Sequence, residues 1–442
     1  MKVKEVFDRY FSELILGNIY DEKIILSSAV GVDNIRRSAF FQIADEQIRI
    51  ISRKSKQGNF KFTKYKLKLI SKGRGKAPRE ISIPTIRDRI ALRALCDFLA
   101  EIYSDQISIE LPQDTVLRVK KSLEGAQWDG FIKLDISNFY PTIRHQELLS
   151  RLRRKIRDDD ILELIHSAIS TPTVASPKLS DVASNLGVPQ GLSVSNILAN
   201  IYLLNIDKYI STYPNIDYFR YVDDILIFCK FDDAEKISKD IIGRFSRIGL
   251  KVHDPIKTPE KSKIGVLSES YEYLGYAFKR NVISVRRGSV DKLKSSLVAI
   301  FTAYKNSKNG SKEFLEWRLN IRITGCIFQS KARGWLFYFS QINDEKILHE
   351  LDHFVSKMKK RFGVSIKQKK FVRAYYETIH KKYETKYIPN FDEYTVGQMR
   401  RVLEKYFNYN FYNYTDDMIR HAFRKKIDRQ VKDLLVDVQE FS

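Results

Sequence analysis

YFRYVDDILIF, Tyr218 to Phe228, sets two adjacent aspartates between two runs of apolar and aromatic residues. The runs read as strand, tight turn and strand, with Asp223 and Asp224 at the turn. An Asp-Asp pair ordinarily marks a solvated turn, but flanks as apolar as YFRYV and ILIFC do not suit an exposed loop. A second apolar strand, within GFIKLDISNFYPTI (Gly130–Ile143), ends at Asp135. If these strands lie side by side, three carboxylates converge on one point. Such a cluster needs cations, and hard oxygen donors suit Mg²⁺, with Mn²⁺ as the alternative. Two such ions ~4 Å apart would activate an attacking 3′-hydroxyl and steady a departing pyrophosphate.

The remaining composition supports a polyanion partner. Lys and Arg number 77 against 54 Asp and Glu, a net charge of +23, and 24 Tyr, 27 Phe and three Trp supply rings on which bases can stack. With 442 residues, two or three domains are expected. No run reaches ~18 apolar residues, so no membrane span is read. The N-terminal stretch reads as an amphipathic helix without a signal peptide's apolar core, which points to the cytoplasm. Cys96, Cys229 and Cys326 lie too far apart for a zinc ribbon and read as buried thiols in a reducing compartment.

Along the chain, residues 1–70 read mainly as helix. YKLKLI and REISIP alternate with period two around the glycine-rich SKGRGKAP, a basic β-hairpin, and a helix follows from about Thr85. HQELLSRLRRKI, DDDILELIHSAI, SVSNILANIYLLNIDKYI and DDAEKISKDIIGRFSRIGL read as helices, and YEYLGYAFKRNVISV as strands. Beyond Val285 the pattern is helical to the end. The middle is α/β and the ends are α.

At this point the residues resemble a family. FIKLDISNFYPTI is similar to motif A of bacterial-type reverse transcriptases, GVPQGLSVSNILANIYL to motif B, YVDD to motif C, GLKVHDPIKT to motif D and YEYLGYAF to motif E. GKAPREISIPTIRDRIALRAL resembles the fingers region, so the likeness runs in order from about Tyr65 to Val285. The resemblance implies an α+β right-hand polymerase with fingers, an RRM-like palm, a helical thumb and a helical C-terminal extension. It places the N-terminal helices and fingers in 1–130, the palm in 131–280 with fingers inserted around 145–185, the thumb in 281–362 and the extension in 363–442.

Carried over residue by residue, the resemblance makes Asp135 and Asp223 metal ligands, with Asp224 the second acid of motif C and the Ile136 carbonyl completing a shell. Lys76 and Arg79 would reach the incoming triphosphate, and Gln190 and Gly191 would lie against nucleotide and template. Lys257 would protonate pyrophosphate, and Tyr273, Leu274 and Gly275 would grip the primer end. Motif B lacks the proline that many relatives carry after the leucine. In motif D, Asp254 and Pro255 stand near a common asparagine, which loosens the placement of Lys257. Tyr140, five residues past Asp135, occupies the position whose ring would collide with a 2′-hydroxyl, implying dNTPs and a DNA product.

The subgroup follows by resemblance and elimination. The tail shows no spaced acidic cluster of an RNase H, three scattered cysteines cannot build a Cys/His endonuclease, and the NAxxH stretch of retron enzymes is missing. RLNIRITGCIFQSKARGWLFYFSQIND (318–344) and the helical tail look like stand-alone reverse transcriptases of antiphage defence and abortive infection. That implies a companion non-coding RNA as template and, in some systems, a second reverse transcriptase or self-association. The alternatives are a non-catalytic RNA-binding defence scaffold and a retron- or intron-type enzyme.

Overall fold

In a computed structural model, the strand Gly130–Ser137 (β3) lies antiparallel to Asp224–Cys229 (β6), which pairs in turn with Asp217–Tyr221 (β5). The structure describes residues 2–438 except 26, 28, 72, 74, 76, 109, 126, 308, 309, 412 and 413. It divides into two compact units, residues 1–109 with 130–264 and residues 110–129 with 265–442. The expected α+β class holds.

In the first unit the sheet runs in the order β5–β6–β3–β7, where β7 is Lys251–Val252. Side chains alternate across a strand. On β3, Ile132, Leu134 and Ile136 therefore point one way, with Ile225 and Ile227 of β6, into the main core. That core also takes Ile197, Leu198 and Ile201 from the helix Ser195–Ser211 and Ile237, Ile241 and Phe245 from Phe231–Arg247. The opposite face carries Phe131, Lys133 and Asp135, in register with Phe228, Leu226 and Asp224. One parity buries the sheet, and the other gathers the acids. β3 runs two residues past Asp135, the end expected for it.

The basic hairpin forms as expected: Tyr65–Ile70 (β1) pairs antiparallel with Arg79–Ile83 (β2). Thr173–Val174 (β4) adds to β1 in parallel. The helix Ile86–Ile102 starts at Thr85, whose hydroxyl accepts the Asp88 N–H, and buries Ile90, Leu92, Leu95 and Leu99 completely.

The second unit opens with the helix Pro112–Glu124 and a three-stranded antiparallel meander, Ser270–Tyr273, Tyr276–Lys279 and Val282–Val285. Its long helices include Arg287–Asn306, Lys312–Thr324, Glu345–Phe362 and Asp416–Leu435. One of its cores joins Ile321, Phe328, Phe391, Leu403, Phe423 and Ile427. A short hairpin, Cys326–Phe328 with Lys331–Arg333, interrupts a region that reads as helical. Arg322 and Asp437, 7% and 3% exposed, form a 2.7 Å ion pair. Cys96, Cys229 and Cys326 are all buried, as expected. Among the described residues, no helix is long and apolar enough to cross a membrane.

Candidate active site

The turn Val222–Asp223 joins β5 to β6, and Tyr221 and Asp224 are the last pair before it. Val222 has φ +56°, whereas Asp223 is not in the left-handed region. A positive φ at the first central residue alone is the signature of a type II′ hairpin turn, which favours glycine there. Asp223 thus sits on the tip, and Asp224 begins β6 directly opposite Asp135.

The acids feel one another. Burial first, and the Asp223 carboxylate second, push Asp224 up to about 7, with Asp135 adding to the rise and Lys133 and Lys261 opposing it. Asp223 is also raised, chiefly by burial and further by Asp135, while its own backbone N–H, Arg79 and Lys261 pull the other way. Among the described residues, no group of three or more His, Cys, Asp or Glu is drawn together tightly enough to hold an ion. The donor chemistry nevertheless fits a divalent cation. Every candidate ligand is a hard oxygen, and positive charge is what would relieve two carboxylates held above their ordinary range.

Two basic side chains that the sequence reading did not single out approach Asp135. His253 Nε2 lies 3.6 Å and Lys261 Nζ 3.7 Å from its carboxylate. The Asp135 N–H donates to the buried Ser262 hydroxyl at 3.0 Å, and its carbonyl accepts the His253 N–H at 3.0 Å. Lys257 is exposed, and its backbone N–H donates to Asp254. His253 directly follows Lys251–Val252, the short strand paired with β3. Ile136 pairs with Val252 in that ladder.

Tyr140 is carried on the turn Phe139–Thr142, entered through Asn138 at φ +48°. Its carbonyl accepts the Val188 N–H, and the Ile143 carbonyl accepts the Gly187 N–H, both at 2.8 Å. Burial raises the Tyr140 hydroxyl's pKa most, followed by the Asp223 charge, with Arg79 opposing. Tyr140, Asp223 and Arg79 therefore share one electrostatic neighbourhood. Gln190 and Gly191 lie against β2: the Gln190 carbonyl accepts the Ser82 N–H at 2.7 Å. At Gly191, φ +100°, a Cβ would stand 2.8 Å from Ile81 Cγ2 and 3.1 Å from the Ser82 carbonyl oxygen. Only glycine fits both the backbone and the gap.

Lys76 lies outside the described residues. Tyr273, Leu274 and Gly275 belong to the second unit, where Leu274 (φ +49°) and Gly275 (φ +79°) make the two-residue turn between the first two strands of the meander. Two left-handed residues in succession mark a type I′ turn. The Leu274 carbonyl accepts the Tyr338 hydroxyl at 3.2 Å.

Comparison with known proteins agrees with this region. Residues 70–278 match the family model described as reverse transcriptase (RNA-dependent DNA polymerase). The group II intron-encoded protein LtrA of Lactococcus lactis subsp. cremoris is 27% identical over 219 residues, covering 47% of this chain and 36% of that protein. Protein YkfC of Escherichia coli (strain K12) is 26% identical over 191 residues, covering 41% of this chain and 49% of that one. The chain thus spans less than half the length of these relatives. A structure of apo telomerase from Candida Tropicalis is 13% identical with a TM-score of 0.44, covering 94% of this chain and 74% of that one. The likeness to the reverse transcriptase family thus runs over residues 70–278.

Proposed function

We propose that the protein is an RNA-directed DNA polymerase that joins dNTPs by two-metal phosphoryl transfer. The observation that carries this reading is the register pair Asp135–Asp224 with Asp223 on the adjoining turn, inside the region matching the reverse transcriptase model. Asp135, Asp223, Asp224 and the Ile136 carbonyl would hold Mg²⁺, with Mn²⁺ as substitute. Bound there, the ions supply Lewis-acid activation of the 3′-hydroxyl and charge neutralisation at the leaving pyrophosphate. Lys76 and Arg79 would bind the triphosphate, and Gln190 and Gly191 would bound the nucleotide. Lys257 would donate the proton to pyrophosphate, and the Tyr140 ring would exclude a 2′-hydroxyl. Residues 131–280 would serve as palm, 1–130 as fingers, 281–362 as thumb and 363–442 as extension, with Tyr273, Leu274 and Gly275 gripping the primer.

The proposed setting is antiphage defence in the bacterial cytoplasm, with a companion non-coding RNA as template and a second reverse transcriptase or a second copy as partner. The likeness of residues 318–344 and the helical tail to stand-alone defence enzymes supports it. A second reading, an intron-type enzyme, is favoured by the similarity to LtrA. Sequencing the nucleic acids that accompany the protein from its host separates them. One structured RNA with its complementary DNA supports the first, and spliced or unspliced intron RNA supports the second. If phage resistance survives Asp223→Ala with Asp224→Ala, polymerisation is not the defensive activity.

A further inference from the structure

Val222 is a β-branched residue at φ +56°, a conformation that such side chains avoid and that persists only where the surroundings over-determine it. Val222 packs against the main core, and one side chain reaches its backbone directly. Arg220, two residues earlier on β5, donates from Nη1 to the Val222 carbonyl at 3.0 Å. The same guanidinium is fixed from behind by the helix Ser195–Ser211. Its Nε donates to Asp207 Oδ1 at 2.8 Å, and its Nη2 donates to the other Asp207 oxygen and to Asn200 Oδ1 at 3.0 Å. The Tyr218 hydroxyl donates to Asp207 Oδ1 at 2.7 Å, orienting the carboxylate in turn. The Arg220 side chain is 10% exposed and that of Asp207 22%, so the pair is half-buried.

Strand parity explains the layout. Arg220 pairs with Ile225, whose side chain enters the core, whereas Tyr221 pairs with Asp224 on the face of the acids. Arg220 therefore reaches the turn from the side of the helix Ser195–Ser211. A planar guanidinium can serve the helix acceptors and the turn carbonyl together, which a lysine ammonium cannot.

The structure assigns Arg220, anchored by Asp207 and Asn200, the role of a positioning residue that clamps Val222 in its left-handed turn and so sets where Asp223 points. This assignment rests on the polymerase reading above. Its consequence is particular. If Arg220 acts by holding a strained turn, replacing Val222 with glycine, which adopts positive φ without penalty, removes the need for the clamp.

The test compares wild type, Arg220→Lys, Val222→Gly and the double variant. Each is measured for Mn²⁺ binding without nucleotide, by the loss of the free-ion electron paramagnetic resonance signal, and for kcat and KM on a primed RNA template. Thermal unfolding checks that each folds. Arg220→Lys is expected to weaken Mn²⁺ binding and to lower kcat about tenfold or more, with a smaller change in KM, as for a displaced reactive group. Adding Val222→Gly is expected to recover roughly threefold or more in both readouts, because glycine takes the turn unaided. If Arg220→Lys does not fold, Asn200→Ala, which removes a single acceptor of the guanidinium, replaces it with the same expectation of recovery. A folded Arg220→Lys or Asn200→Ala with wild-type Mn²⁺ binding and kcat overturns the inference. So does a loss that Val222→Gly leaves untouched, since a purely structural role predicts no relief. A wild type that makes no polymer sinks the underlying reading and this inference with it, whereas an active wild type with unaffected variants sinks this inference alone.

Discussion

Asp224 stands directly across the β3–β6 ladder from Asp135, so the sheet that builds the core also places two carboxylates opposite one another. Like charges so placed are destabilising, and burial adds to the penalty. Asp224, held up at about 7, shows the sum of both effects.

The sign of the resulting pH dependence follows. A carboxyl whose folded-state pKa lies above its unfolded value near 3.9 binds more protons when folded, so the ion-free protein loses stability as pH rises from about 4 to about 7. Asp224→Asn removes this term. In chelator, the variant is expected to unfold at higher temperature than wild type at pH 8, with the difference vanishing near pH 4. Added Mg²⁺ should stabilise wild type more at pH 8 than at pH 5. Melting curves across pH would contradict the account if Asp224→Asn were less stable at pH 8.

Tyr140 shares its neighbourhood with Asp223 and is pinned through its carbonyl by Val188. Tyr140→Ala should keep the fold and admit ribonucleotides, changing the dNTP-to-rNTP ratio of kcat/KM by about 10²-fold, the scale on which pocket shape discriminates. An unchanged ratio would remove Tyr140 from sugar selection.

Gly191 carries both a positive φ and a gap too small for a methyl group. Gly191→Ala should cost about 1–3 kcal/mol through backbone strain. It should also loosen the contact between the Gln190 carbonyl and β2. Denaturant unfolding measures the first effect, and a raised KM for dNTP would report the second.

In the second unit, Arg322 Nη1 donates to both the Asp437 carboxylate and the Asp433 carbonyl. The Ser296 hydroxyl also donates to Asp437, at 3.1 Å. Arg322→Ala leaves a buried carboxylate unpaired and should destabilise that unit by about 3–5 kcal/mol. Arg322→Met with Asp437→Leu should recover most of the loss. Chemical unfolding followed by Trp fluorescence separates the two variants.

Much of the first unit was legible because its signals are local. Period-two runs gave the strands, Thr85 marked a helix start, and the apolar flanks of Asp223 and Asp224 argued against a solvated loop. The facing of Asp135 and Asp224 was legible only as a condition, since pairing residues 89 positions apart is a register that no local pattern specifies. His253 and Lys261 escaped for a related reason: they reach Asp135 from the end of a short strand and from a loop, where spacing carries no information. Arg220 lay in plain view beside the acids, but its role depends on Asp207 and Asn200, presented by a separate helix. The strand Thr173–Val174 and the hairpin from Cys326 to Arg333 are too short to outweigh the surrounding loop and helix signals.

Primer extension on a defined RNA template with Mg²⁺ and dNTPs tests the central claim most directly. Wild type is expected to give a product resistant to RNase and degraded by DNase. Asp135→Asn and Asp223→Asn, folded by thermal unfolding, should each lower its formation by roughly 10³-fold, the upper range for losing one group that stabilises transition-state charge. No product from wild type, or equal product from the folded variants, would contradict the assignment of these acids to DNA synthesis.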